Sequence, residues 1–246
     1  ESDELVKLAN NQWIDLNIAL ANELALLCDA LPYPLDILEI IEGANSLKKG
    51  QHNVNILQPS IGVGGYCLTK DPWFVSALGD KNEIQLLLPK SGRTVNDNMP
   101  INAAKVVNNF FKSKNKTLEY EKIAILGYSF KTNSGDVRFS PMESFVKTMF
   151  INGAEKIHVF DSTINEGAIN DNRVNKSQTW QECLSGASCV IYGAAHDDIK
   201  KITPSDLNEY MKDDKLIFDG RRYFTKDEIK ELQNFGFSYK GVGRSI

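Results

Sequence analysis

The sequence predicts an α/β protein in two parts, an all-helical region over residues 1–116 and a doubly wound parallel sheet over residues 117–246. Up to residue 116, long stretches with helical apolar spacing are interrupted only by clusters of Pro and Gly. From residue 120, short apolar runs alternate with amphipathic ones at roughly 25 to 30 residue spacing, the rhythm of strand, helix, strand. At 246 residues with 42% apolar content, the chain can bury the core of one large domain or two small ones.

Residues 3–31, DELVKLANNQWIDLNIALANELALLCDAL, contain no Gly or Pro and are apolar around most of a helical circumference. Such a helix must pack on several sides, and its excess apolar surface predicts a homodimer formed through it. Lys7 and Asn11 are four residues apart, about 40° on the helical wheel, with Asn10, Asp15 and Asn22 near them. That face is either solvated or turned into a polar pocket. Pro32 and Pro34 end the helix, and DILEIIEGAN gives a second one, stopped at Gly43 or Asn45. After a loop with Lys48, Lys49 and Gly50, DPWFVSALGD reads as a short helix with Asp71 as N-cap and Pro72 at its first position. VNDNMPINAAKVVNNFFKSK supplies a third long helix.

Beyond residue 120 the strands are KIAILGYSF, KIHVFDS, SCVIYGAA, KLIFDG and FSYKGVG, and the helices include SPMESFVKTMFINGA, TPSDLNEYMK and TKDEIKELQNFG. This is a Rossmann-like order. Its first turn, GYSFKTNSGD, lacks the G-x-G-x-x-G that cradles a dinucleotide pyrophosphate. Asp161 closes the second strand where a carboxylate often takes a ribose hydroxyl, and the carboxyl ends of the strands remain open to a nucleotide.

With 28 basic and 32 acidic residues the net charge is −4, without the basic stripe of a nucleic-acid-binding protein. No run approaches the ~20 apolar residues of a membrane span. ESDELVKL has no signal-peptide character, so a cytoplasmic address is expected. Cys28, Cys67, Cys183 and Cys189 form no CxxC pair, and only His52, His158 and His196 could join them, so no metal site is expected. Cys28, Cys183 and Cys189 lie in apolar surroundings and read as small buried hydrophobes.

Cys67 differs. In SIGVGGYCLTKDPWF, residues 60–74, flexible backbone precedes it and Lys70 and Asp71 follow. Gly62, Gly64 and Gly65 allow a sharp bend and the close approach of a substrate. A nearby cation and a helix N-terminus are the surroundings in which thiols become nucleophiles. A turn carrying an idle thiol is the alternative.

Taken together, VGGYCLTKDPWF, ELVKLANNQW with NIALANELALLCD, GYSFKTNSGDVRFSP and FDGRRYF, in this order and spacing, closely resemble the UDP-glucose/GDP-mannose dehydrogenase family. These are NAD-dependent enzymes that oxidise the primary alcohol of a nucleotide sugar to a carboxylate. The resemblance runs nearly end to end. It implies that Cys67 is the nucleophile that captures the aldehyde and passes through a thioester. Lys7 and Asn11 would then donate to the oxyanion, and Asp71 would move a proton or orient the water. Gly64 and Gly65 would lie against the substrate. Lys131, Asp136, Arg138 and Arg221 would bind the UDP-sugar, with Lys131 and Arg138 also reaching the cofactor.

The family's NAD-binding domain precedes the Lys7 helix, and its glycine motif does not occur in this sequence. The NAD site is therefore expected on an N-terminal domain absent from this chain, and the fragment alone is expected to be inactive. Tyr66 stands where the family often has histidine. Asn17 and His196 fit the UDP-N-acetylmannosamine/UDP-N-acetylglucosamine branch, which implies an N-acetylhexosamine substrate for surface polysaccharide synthesis. UDP-glucose oxidation, or a truncated dimerising UDP-sugar-binding module, are the alternatives.

Overall fold

A computed structural model describes residues 2–212 and 214–246. The chain resolves into two units, one formed by the residues up to Met99 with Val242–Ile246, the other by Pro100–Gly241. The dividing line falls inside a long helix, whereas the sequence reading set it behind that helix at residue 116.

In the first unit, α1 (Ser2–Ala30) and α2 (Ile37–Asn45) are followed by a two-residue hairpin of β1 (Lys48–Lys49) and β2 (His52–Asn53), then α3 (Tyr66–Lys81) and the start of α4 (Leu88–Ser113). Asp36 caps α2 by accepting from the Leu38 N–H. It also forms a buried ion pair with Arg244, 3.1 Å away, which returns the C-terminal residues to this unit. Gly243, at φ 67, lies so close to Ala25 that a Cβ would come within 2.6 Å of the alanine Cβ, so only glycine fits there.

The second unit is the expected doubly wound sheet. Its strands are β3 (Lys122–Leu126), β4 (Lys156–Phe160), β5 (Val174–Lys176), β6 (Cys189–Tyr192), β7 (Leu216–Asp219) and β8 (Ser238–Gly241). All neighbours pair parallel, in the order β5-β4-β3-β6-β7-β8. The chain thus starts in the middle, winds outward to β5, then crosses to β6 and winds the other way, which puts a topological switch point between β3 and β6. Strands β6 and β7 are buried at every residue, as a sheet covered on both faces requires. Helices α5 (Pro141–Ile151), α6 (Trp180–Leu184), α7 (Pro204–Tyr210) and α8 (Lys226–Asn234) connect them. Ser140 caps α5, and Thr203 and Thr225 form capping boxes on α7 and α8.

No helix among the described residues is long and apolar enough to cross a membrane. No group of three or more His, Cys, Asp or Glu among them is arranged to hold a metal ion.

Candidate active site

The segment expected to carry the nucleophile begins at a glycine whose backbone only glycine adopts readily. Gly65, at φ 88 and ψ 153, is the N-cap of α3, and the helix starts at Tyr66. Asp71 is therefore not an N-cap, as its sequence position before Pro72 had implied. It lies inside the helix, and Pro72 is accommodated there. Proline offers no N–H to the carbonyl four residues back. That carbonyl, of Leu68, instead accepts from Arg93 Nη1 of α4 at 3.4 Å.

Cys67 consequently sits in the first turn of α3 with its side chain exposed. Asp71, one turn on, is buried and accepts from Asn11 Nδ2 of α1 at 2.6 Å. Lys7 is exposed one turn before Asn11, and its ammonium forms no ion pair among the described residues. Lys70 is stacked over two rings of its own helix, 4.2 Å from the Tyr66 centroid and 4.8 Å from that of Phe74. The lysine next to the thiol is thus engaged with aromatic faces.

A buried polar network braces this arrangement, and sequence reasoning missed half of it. Arg93 Nη1 pairs with Asp15 Oδ1 at 2.6 Å, with both side chains all but inaccessible to water. Asn96 donates to the same carboxylate at 2.8 Å. Asn22 donates to Asn96 Oδ1 at 2.8 Å and accepts from the Ser60 N–H at 2.9 Å, at the entrance to the glycine segment. Burial pushes the Asp15 carboxyl up against the opposing pull of Arg93 and Asn96. The polar face of α1 is thus in part a core face. The available signal was Gly92: a Cβ there would come within 3.0 Å of Leu16, so α4 approaches α1 closely where Arg93 and Asn96 follow. Asn17 donates to the Asn55 carbonyl and accepts from the Leu57 N–H, each at 2.7 Å, which ties down the loop before residue 60.

In the second unit the expected ligands lie on the loops at the carboxyl ends of the strands. Lys131 is exposed, without an ion pair among the described residues. Asp136 and Arg138 are brought together as a bidentate pair, at 2.9 and 2.6 Å. Arg138 also lines a groove of about 630 Å³ with Tyr128, Phe139, Lys147 and Arg173. The other two cations of that groove are likewise paired, Lys147 with Glu143 and Arg173 with Asp171. Arg221 donates to the main-chain carbonyls of Gly193, at 2.7 Å, and Phe130, at 3.4 Å. Burial, with Arg222 nearby, lowers its pKa to about 10, which leaves it cationic at neutral pH.

Asp161 does not wait for a ribose. Its Oδ2 accepts the N–H groups of Tyr128 and Ser129 at 2.7 and 2.9 Å and lies 3.1 Å from His196 Nε2. Its Oδ1 accepts from Thr163. Burial alone would raise this carboxyl, but the hydrogen bonds from His196, Ser129 and Thr163 outweigh it and hold the group well below the usual carboxylate range. The N–H groups at the start of the loop after β3 are thus taken by the chain's own carboxylate.

Comparison with known proteins agrees with this division. Residues 1–98 match the family model described as UDP-glucose/GDP-mannose dehydrogenase family, central domain, and residues 124–226 match that family's UDP binding domain. UDP-N-acetyl-D-mannosamine dehydrogenase of Methanococcus maripaludis is 34% identical over 243 residues, which span 98% of this chain and 52% of that protein. Among solved structures, NDP-N-acetyl-D-galactosaminuronic acid dehydrogenase from Methanosarcina mazei superposes with a TM-score of 0.86 at 28% identity, covering 99% of this chain and 51% of that one. UDP-D-ManNAc dehydrogenase from Pyrococcus horikoshii gives 0.82 at 30% identity, with coverages of 98% and 52%. The chain spans about half the length of the curated relatives it matches. With both the central and the UDP-binding domain present in order, it belongs to the UDP-glucose/GDP-mannose dehydrogenase family.

Proposed function

We propose that this chain carries the catalytic and UDP-binding parts of an NAD-dependent dehydrogenase that oxidises the primary alcohol of a UDP-N-acetylhexosamine, UDP-ManNAc or UDP-GlcNAc, to the uronic acid for surface polysaccharide synthesis. The observation that carries the reading is the exposed Cys67 in the first turn of α3, one turn from Asp71, which is itself bonded to Asn11.

In this reading the Cys67 sulfur adds to the aldehyde carbon, a C–S bond forms, and the carbonyl electron pair moves onto oxygen. Lys7 and Asn11 donate to that oxyanion, and fixed donors of this kind lower a barrier by several kcal/mol. Loss of a hydride from that carbon to the family's NAD acceptor would give the thioester; water then attacks the carbonyl carbon, Asp71 accepts a proton, and the C–S bond breaks to release the thiolate. Gly64 and Gly65 let the sugar approach the backbone. Lys131, Asp136, Arg138 and Arg221 serve the UDP, and Lys131 and Arg138 would also contact a cofactor held on another domain.

NAD supplies the hydride acceptor in this family's chemistry. The sheet of this chain does not fit it, because GYSFKTN lacks the glycines of a cradle and Asp161 already occupies the Tyr128 and Ser129 donors. The dinucleotide is assigned to a domain outside this sequence. The two residues that favoured the acetamido branch, Asn17 and His196, are both spent on internal hydrogen bonds. Support for an N-acetylhexosamine therefore comes from the named relatives, and UDP-glucose is the competing substrate.

A second reading, a dimerising UDP-sugar-binding module, draws on α1. Val6, Trp13, Leu20 and Leu27 recur every seventh residue at 67, 48, 47 and 55% exposure, the spacing of a helix seam that packs on another helix. Turnover separates the two. In the complete enzyme, Cys67→Ala should abolish acid formation while UDP-sugar binding survives, and the N-acetylhexosamines should be turned over faster than UDP-glucose. Uronic acid production by Cys67→Ala at a comparable rate would rule out the nucleophile assignment.

A further inference from the structure

We propose that His196, supported by Asp161, is a positioning residue that fixes loop 128–134 and so sets where Lys131 meets the UDP diphosphate. This rests on the reading of Lys131 as a UDP ligand.

The switch point brings the two segments together. Gly127 and Gly193, directly after β3 and β6, approach so closely that a Cβ on Gly193 would come within 2.4 Å of the Gly127 carbonyl oxygen. The loops that follow, beginning at Tyr128 and Ala194, therefore leave the sheet side by side. His196 is fully buried between them. Its Nδ1 accepts the Asn133 N–H at 2.9 Å, which makes that nitrogen the unprotonated one and leaves the proton on Nε2. Nε2 then lies 3.0 Å from Ser129 Oγ and 3.1 Å from Asp161 Oδ2.

Serine, histidine and aspartate in one cluster invite comparison with a hydrolytic triad, and the geometry rejects it. A triad needs serine on one ring nitrogen and the carboxylate on the other. Here both sit on Nε2, and Nδ1 holds main chain. The arrangement is a clamp.

Further bonds converge on the same loop. Asn133, at φ 53, donates to Asp197 Oδ2 at 2.7 Å and accepts from the Asp197 N–H at 3.1 Å. Thr163 Oγ1, which donates to Asp161 Oδ1, also lies 3.0 Å from the Ser134 carbonyl oxygen, and Arg221 reaches the carbonyl of Phe130. Residues from the ends of β4, β6 and β7 thus hold both flanks of the loop, while Lys131 and Thr132 between them stay exposed. A lysine side chain loses much rotamer freedom when it binds a ligand, so a fixed backbone beneath it reduces what binding must still order.

The test is a double-mutant cycle read by calorimetry with UDP on the full chain. Lys131→Met should weaken UDP binding about ten-fold, the scale of a charged hydrogen bond. His196→Ala should weaken it by a similar factor. Because His196 acts through Lys131, the double variant should bind no more weakly than the weaker single one. Effects that multiply to about a hundred-fold, or wild-type affinity in His196→Ala, would overturn the proposal. His196→Gln provides a second variant should the alanine chain fail to fold. Amide hydrogen exchange at Asn133 should accelerate in either variant, and unchanged protection would also count against the clamp. UDP binding indifferent to Lys131→Met overturns the ligand assignment and the proposal with it. That outcome is distinct from failure of the clamp, which leaves Lys131→Met weak and His196→Ala tight.

Discussion

The four cysteines have identical chemistry and different surroundings. Cys28, Cys183 and Cys189 are buried, and Cys67 is exposed. Burial pushes the Cys183 thiol up to about 12 and raises Cys28 and Cys189 as well. Iodoacetamide at neutral pH should therefore modify Cys67 first, and the other three only on unfolding, as read by peptide mapping. Equal rates at all four would contradict the assignment of Cys67 as the accessible nucleophile. Asp161 makes a separate claim. Its folded pKa is depressed, so the stability it contributes is complete above the ordinary carboxylate value of about 3.9 and drains as pH falls below it. The gap in denaturation free energy between wild type and Asp161→Asn should be widest near neutral pH and narrow below about pH 4. A gap independent of pH would show that the carboxylate charge is not what holds the loop. At this scale the sequence exposed the glycines and the thiol at 60–74. It could not expose the pairing of Asp161 and His196 with each other and with Tyr128, Ser129 and Asn133, because these partners lie far apart in the chain.

Among the elements, the regular ones were readable and the irregular starts were not. α1, α2, α5, α7 and α8 lie within a few residues of their sequence patterns, since caps and apolar spacing are local properties. β5 and α6 escaped notice. β5 has three residues with only Val174 buried, and α6 has five, too few for either periodicity to register. Asp71-Pro72 imitated a helix start, whereas the helix begins at Tyr66 after Gly65 and Arg93 reaches the carbonyl that Pro72 leaves free. Arg93 also meets Asp15, so the element rests on a buried pair. Arg93→Met should destabilise the chain by about 3 kcal/mol or more, since it strands the Asp15 charge. Adding Asp15→Leu should recover part of that loss in urea denaturation. If the double variant is less stable than Arg93→Met, the cost lies elsewhere than in an uncompensated charge.

At the scale of the whole molecule, the seam on α1 calls for a partner. A second copy that repeats Val6, Trp13, Leu20 and Leu27 is self-complementary, as a two-fold interface requires. The chain should be a dimer by light scattering at micromolar concentration, and Leu20→Glu should shift it toward monomer. A monomeric wild type would remove the basis of the dimer. The proposed division of labour predicts that the second unit recognises uridine diphosphate and does not bind the dinucleotide. Its sheet has the strand order of a dinucleotide-binding fold, but its first loop lacks the glycine motif and Asp161 takes the N–H groups of Tyr128 and Ser129. Titration calorimetry of the chain with UDP, a UDP-N-acetylhexosamine and NAD in turn tests this most directly. Measurable, weak binding of both uridine ligands with no heat from NAD is the expected result. Tight NAD binding, or silence from both uridine ligands, would mean that the second unit has been given the wrong nucleotide.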